Sequence, residues 1–356
     1  MRISLMLLVA LALTTGAVGA DKKKIVLVAG HKSHGYGSHE FNAGCLLLEK
    51  GLNEGLGDPA AIKALEKKIQ AKKAFAQRAR FTQEGLKKHK AEVAALEKSL
   101  AQLKSTQVET EVYRSGWPKE SNAFDGADAI ILYMDGGGRH PVLKNMEQIG
   151  KLMGKGVGLM CMHYGVEIPK GQGGEAFKNW IGGYYESGFS INPHWSAKAK
   201  LNTGHAITNG VKPFDVRDEW YFNMRFRDGH KGVTNILQAV PDDEARSGKT
   251  SWPRGPKKHI VESSGRTETL LWAVERKDGG RGVGFTGGHF HWNWGEPNHR
   301  KLVLNAIYWV AGGEVPKDGI AVSKLTLDDL KTNQDFKPKK NFKYDKIEAD
   351  LKKWNK

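Results

Sequence analysis

The sequence predicts an α/β fold: a mostly parallel sheet with helices on both faces, an inserted helical hairpin and extra antiparallel strands. Three observations predict it. Short apolar, β-branched runs alternate with helix-period segments from residue 23 to residue 167. Several of these runs stop at glycine and histidine, as strands do where they give way to loops. From about residue 183 the texture changes to short alternating strands split by Gly, Pro and Asp turns.

The chain opens "MRISLMLLVALALTTGAVGAD". Arg2 supplies a positive start, Ile3–Leu13 an apolar core and Val18-Gly19-Ala20 a small-residue cleavage site, the anatomy of a secretory signal peptide over residues 1–20. The run is too short to span a ~30 Å hydrocarbon core, so cleavage after Ala20 is expected rather than a membrane anchor. No later stretch is long and apolar enough to span. The expected location is secreted or periplasmic. The two cysteines, Cys45 and Cys161, lie in apolar contexts and exclude a disulfide scaffold.

"KKIVLVAG" reads as the first strand, and residues 39–55 as a helix with Phe41, Cys45, Leu48 and Leu52 on one face. Residues 58–105 are rich in Ala, Lys, Glu and Leu, with apolar residues three, four and seven apart. They read as an inserted helical hairpin turning near Gly85, with one long broken helix as the alternative. A lid, a homodimer contact and a solvated spur are its alternative uses. Strands resume at 108–116, at 127–138, which ends in three glycines, and at 157–167, which runs into a histidine, with a helix over 145–156. "GRGVGFTGGHF" is a late buried strand, and "HRKLVLNAIYWVAGG" (299–313) closes the α/β domain of 21–315 as an amphipathic helix. The tail, 316–356, is expected either to drape over the surface or to be partly disordered.

Formal net charge is +16. Residues 58–105 contribute +7 and residues 337–356 contribute +5, so most of the excess lies in two peripheral segments. No aromatic-interleaved basic stripe is present, which argues against nucleic acid.

In open parallel sheets ligands bind beyond the carboxyl ends of the strands. Here four such exits carry histidine. "GHKSHGYGSHEF" (30–41) holds His31, His34 and His39; "DGGGRH" (135–140) holds His140; "LMCMHYG" holds His163; "GGHFHWNW" (287–294) holds His289 and His291. His31 and His39 read as solvent-facing and helix-starting residues. The set His34, His140, His163, His289 and His291 reads as functional. Neutral imidazoles suit a divalent transition metal, zinc first, and His34, His163 and His289 are the expected ligands. Histidine is equally the commonest general acid/base near neutral pH, so a metal-free site stays open.

The backbone at Gly136, Gly137 and Gly138 is expected to hold substrate, with His140, His291, Trp292 and Trp294 beside it. No nucleotide fingerprint is present. In "RDEWYFN" (217–223), strand alternation lets only one carboxylate face inward easily, and Glu219 with Tyr221 is the expected pair, joining His163 as catalytic residues.

"KIVLVAGHKSH", "ADAIILYMDGGGRH", "GVGLMCMHYG", "GHAITNGVKPFDVRDEWYFN" and "GRGVGFTGGHFHWNWGEPNHRKLVLNAIYWVAGG" follow the order seen in ThuA-like, trehalose-utilisation proteins. The resemblance covers 25–57 and 106–313. It implies the class I glutamine-amidotransferase-like fold, a flavodoxin-like sheet. In the amidotransferases a nucleophilic cysteine stands on a sharp turn after a strand; in ThuA-like proteins a histidine occupies that elbow, and His163 matches it. Cys161, two residues earlier, is expected to face the core. The resemblance implies sugar metabolism, often beside oxidoreductases that make keto-sugars. The leader, hairpin and lysine-rich tail depart from the pattern and favour an exported role. The expectation is an enzyme that acts on a sugar or keto-sugar by hydrolysis, elimination or isomerisation. The alternatives are a non-catalytic carbohydrate-binding protein and a scaffold whose basic hairpin binds an anionic surface.

Overall fold

The computed structural model describes residues 22–57, 59–78 and 81–356, so the expected signal peptide lies outside the described residues. Eight strands form the main sheet: β1 (Lys23–Ala29), β2 (Val108–Tyr113), β3 (Ala129–Tyr133), β4 (Gly158–Met162), β5 (Lys200–Leu201), β6 (Val233–Ala239), β7 (Glu268–Glu275) and β8 (Arg281–Phe285). Their order is β2-β1-β3-β4-β8-β7-β6-β5. The first five in that order are mutually parallel, and β7, β6 and β5 add on antiparallel. The parallel part has the flavodoxin-like order, whose switch point lies between β1 and β3.

Strand alternation builds two cores. Ile25, Leu27, Ile131, Tyr133, Met160 and Met162 pack on one face with helix α1 (Phe41–Gly55). Val26, Val28, Ile130, Leu132, Leu159 and Cys161 pack on the other. The runs are apolar at every position because both faces are covered. Cys45 and Cys161 belong to opposite cores, are unpaired, and are pushed upward in pKa by burial. Cys161 therefore faces away from the strand exits.

The inserted hairpin is α2 (Pro59–Arg78) and α3 (Gln83–Ser105). Its turn precedes Gly85, which sits in the first turn of α3 and donates its N–H to the capping hydroxyl of Thr82. Ion pairs Lys72–Glu92, Lys73–Glu97 and Lys104–Glu66 lace the two arms.

Helix α4 spans Met146–Gly154, α5 Gln172–Ile181 and α6 Pro297–Val310. The tail packs onto the domain: Ile320, Leu325 and Leu330 are buried, as are Ile347 and Leu351 of α7 (Asp345–Trp354). Its lysines occupy the outer side, so high charge and a buried stripe coexist. Tail residues also hold the loop after β1. Tyr344 and Tyr36 share a hydroxyl hydrogen bond of 2.7 Å, Gln334 accepts the Gly37 N–H, and Asp335 donates its N–H to Glu40. Among the described residues no helix is long and apolar enough to cross a membrane.

Candidate metal centre

The loops leaving β1, β3, β4 and β8 meet at the switch point. The β1 loop is stitched to the β8 loop: His39 N–H donates to His289 O at 3.0 Å and His291 N–H to Gly37 O at 3.0 Å. His34, His39 and His163 all have positive φ, 65°, 52° and 52°. Non-glycine residues held there cost about 1–3 kcal/mol each, a strain that persists only where the surroundings over-determine it. His163 stands at the sharp elbow where β4 gives way to a single tight turn, His163–Val166.

Four buried donors converge: a nitrogen each from His39, His163 and His289 and an oxygen from Glu219, all within 4.8 Å of one another. His39 Nε2 lies 3.0 Å from His163 Nε2 and 3.1 Å from His289 Nδ1. Glu219 Oε2 lies 2.9 Å from His289 Nδ1 and 3.4 Å from His163 Nε2. Donors at 2.0–2.1 Å from a tetrahedral zinc stand about 3.3 Å apart, so the set is sized for such an ion.

The outer contacts fix which nitrogens face inward. His163 Nδ1 lies 3.1 Å from Thr286 O; a carbonyl only accepts, so Nδ1 carries the proton and Nε2 presents a lone pair. His39 Nδ1 likewise donates to Asp135 Oδ1 at 2.9 Å. Histidines that hold metals are oriented by such partners.

Glu219 Oε1 accepts from Asn192 Nδ2 at 3.0 Å. Burial opposes its charge, but hydrogen bonds and charge from His163 and His289 hold its carboxyl well below the usual range. Burial alone would lower His163, yet the Glu219 carboxylate outweighs it and raises it. His39, buried and facing the other imidazoles, is driven well below 6.5. The Tyr221 hydroxyl lies 3.5 Å from His163 Nε2, and burial keeps that phenol protonated.

Asp218 supports the centre from below. Fully buried, it accepts the N–H groups of Gly288, His289 and Phe290 at 2.8, 3.1 and 3.2 Å, and that of Glu219 at 2.9 Å. It fixes both the β8 loop and the end of the short Asp215–Glu219 strand, which pairs with His194–Lys198 outside the main sheet.

The family model for ThuA, described as trehalose utilisation, matches residues 63–310. The chain belongs to the ThuA family. Its description ties the family to carbohydrate use. Among solved structures, a ThuA-like protein from Bacteroides uniformis ATCC 8492 covers 81% of this chain and 91% of its own, with 11% identity and a TM-score of 0.45. No curated protein matches the chain.

In this ThuA chain the structure brings together His163, His289, Glu219 and Tyr221 of the expected residues. His34 lies outside the four-donor cluster. It is exposed, with its ring 3.6 Å from that of His39, and Ser33 bridges the two. His39, read from sequence as a helix start, points inward instead. The reason is local: the Gly35–Ser38 bridge and the positive φ at both histidines reverse which ring enters the crevice.

Four expected substrate contacts are corrected. His140 is buried and saturated, donating Nε2–H to Gly165 O and accepting the Val142 N–H at Nδ1; burial drives its pKa to about 4. His291 is fully buried within the His291–Gly295 turn, its pKa also down to about 4. Trp294 is fully buried in the core, its ring stacked on His299. Gly137 (φ +68°) donates its N–H to Glu167 O, so that amide is not free for a ligand.

Gly136 is packed so tightly that a Cβ would stand 2.2 Å from Tyr164 O. Only Gly138 of the three glycines borders open space. Trp292 is half-buried among Tyr36, Phe342 and Tyr344, against the tail.

Proposed function

We propose that this chain is an exported, metal-dependent enzyme that processes a sugar or keto-sugar. The observation that carries the proposal is the convergence of three imidazole nitrogens and one carboxylate oxygen at the strand exits, with two rings already protonated on their outer nitrogens. The donor types suit zinc. His39, His163 and His289 would hold the ion, with Asp135 and the Thr286 carbonyl fixing two of the rings. A bound metal would polarise a sugar oxygen or lower the pKa of water there.

With the three imidazoles holding the ion, its fourth position would be left to water or substrate, and Glu219, ionised beside that position with its second oxygen steadied by Asn192, would be the proton acceptor. Tyr221, kept neutral, donates toward negative charge that develops beside His163. Asp218 keeps the His289 loop in place without touching substrate. Hydrolysis, elimination and isomerisation all use this pairing of a base with charge stabilisation.

A metal-free reading has one observation in its favour: Glu219 raises His163, so a proton can sit where the metal would. The carbohydrate class is supported by the family description. Export is supported by the leader sequence and is checked by N-terminal sequencing of the native protein, which is expected to start at Asp21.

The activity test is a turnover screen of disaccharides and their keto derivatives with wild type and Glu219→Gln. Turnover lost in the variant, with metal retained, supports Glu219 as the proton acceptor. Equal turnover in both contradicts that role.

A further inference from the structure

Glu167 is a carboxyl that the histidine–glutamate centre does not use. It closes the tight turn that His163 opens after β4, and the turn fixes its backbone. Glu167 N–H donates to Tyr164 O at 2.9 Å, its own carbonyl accepts the Gly137 N–H at 2.8 Å, and the residue forms an isolated bridge with Tyr185. The side chain reaches the β3 loop. A Cβ at Gly137 would stand 3.2 Å from Tyr164 Oη and 3.5 Å from Glu167 Oε1, and the next residue, Gly138, borders open space. Glu167 is half-buried, yet among the described residues no hydrogen bond or ion pair holds its carboxyl, and neither oxygen is closed off from solvent. A carboxyl withdrawn from water without a protein partner is costly, and such groups collect at functional sites.

Two lines of contact tie Glu167 to the centre. On one side is Tyr164, whose ring lies 6.1 Å from that of His39. On the other is Tyr185, whose ring lies 5.1 Å from that of Tyr221, which in turn stands 4.8 Å from the His163 ring. Burial and the charges of both Glu167 and Glu219 push all three phenols upward, so they stay neutral. The two carboxyls therefore share one tyrosine-walled crevice in different environments. Imidazoles hold Glu219 ionised. The cation facing Glu167 is Lys257, whose Nζ donates to Ser190 O; burial and the Glu219 charge outweigh it and push the Glu167 carboxyl up to about 7. Two carboxyls driven apart in this way make an acid and a base.

We infer that Glu167 is a second catalytic carboxyl, the proton donor to an oxygen that leaves carbon, so that the reaction is C–O cleavage by hydrolysis or elimination rather than isomerisation. The inference rests on Glu219 as proton acceptor in the proposed function. An isomerisation needs only a base and a group that steadies an oxyanion, and Glu219 and Tyr221 supply those. A departing alkoxide needs a proton as well. In hydrolysis the water oxygen forms the new C–O bond as its proton passes to Glu219. In elimination the C–H electron pair becomes the C=C bond as that proton passes to Glu219. In both, the old C–O bond breaks, its electron pair goes to the departing oxygen, and that oxygen takes the Glu167 proton. Glu219 ends protonated and Glu167 ionised, and exchange of one proton through solvent restores both.

The test compares leaving groups. Zinc-loaded wild type, Glu167→Gln and Glu167→Asp are assayed on methyl and 4-nitrophenyl glucosides and their keto forms, with metal content as the folding control. Nitrophenolate departs without a proton, whereas methoxide does not. Glu167→Gln is expected to lose 100-fold or more on the methyl compounds and tenfold or less on the nitrophenyl ones, and Glu167→Asp to recover part of the methyl activity. Equal losses on both, or no loss on the methyl compounds, overturn the donor role. A wild type that cleaves neither probe but rearranges a sugar without releasing an alcohol overturns it and leaves the proposed function standing. A wild type inactive on every sugar overturns both. A second readout needs no turnover: in metal-free protein at about pH 6, difference infrared spectroscopy of wild type against Glu167→Gln is expected to show a protonated carboxyl that the variant lacks, and its absence overturns the donor.

Discussion

His39 Nε2 and His163 Nε2 stand 3.0 Å apart, although the other nitrogen of each ring already donates to an acceptor. Two lone pairs cannot face each other at that distance without a proton or a cation between them. Removing either outer acceptor releases its ring. Asp135→Ala is expected to weaken metal binding about 10–100-fold, the usual loss when such an orienting group goes. Metal titration against a competing chelator measures it.

Asp218 has the largest structural stake. Four backbone N–H groups end on its buried carboxylate. Asp218→Ala leaves them without a partner and is expected to cost about 3 kcal/mol or more of stability. Urea unfolding of the two proteins gives the difference; a loss under about 1 kcal/mol contradicts this role.

The tail is expected to matter at a distance. Gln334 and Asp335 contact Gly37, Glu40 and Asn42, on either side of His39. The double variant Gln334→Ala, Asp335→Ala is expected to speed hydrogen exchange at residues 30–41 and to weaken metal binding several-fold. Exchange at the sheet interior, Ile130 for example, is expected to stay unchanged.

Glu167 gives a pH signature. Burial pushes its carboxyl up to about 7, the Lys257 charge opposes this, and the Glu219 charge adds to it. Between pH 4.5 and 7 the folded state therefore holds a proton that the unfolded state has lost, and stability falls as pH rises through that window. In metal-free protein, Glu167→Gln is expected to remove this decline and to gain up to about 3 kcal/mol near pH 8. Thermal unfolding of both proteins from pH 4.5 to 8 tests the sign. A bound cation nearby is expected to shrink the difference.

The sheet was legible because the inner stretches of β1, β3 and β4 are apolar at successive positions, and β1 and β4 run directly into Gly30 and His163, which also located the crevice. Which imidazole enters it was not legible. His34 and His39 share composition and neighbourhood; only the tight turn between them decides. Alternation did send Asp218 and Glu219 to opposite sides, but both sides are buried, one under the β8 loop and one in the centre. Trp294 and His291 lie next to His289 in sequence, and the turn at 291–295 carries both into the interior. The lysine count of the tail hid the Ile347–Leu351 stripe that docks it.

The most direct measurement is the metal content of tag-free wild type and His163→Ala by elemental mass spectrometry after reconstitution with zinc. The expected result is near one ion per wild-type chain and near none in the variant. A wild type that takes up no metal, or a His163→Ala chain that binds it equally well, would contradict the metal centre.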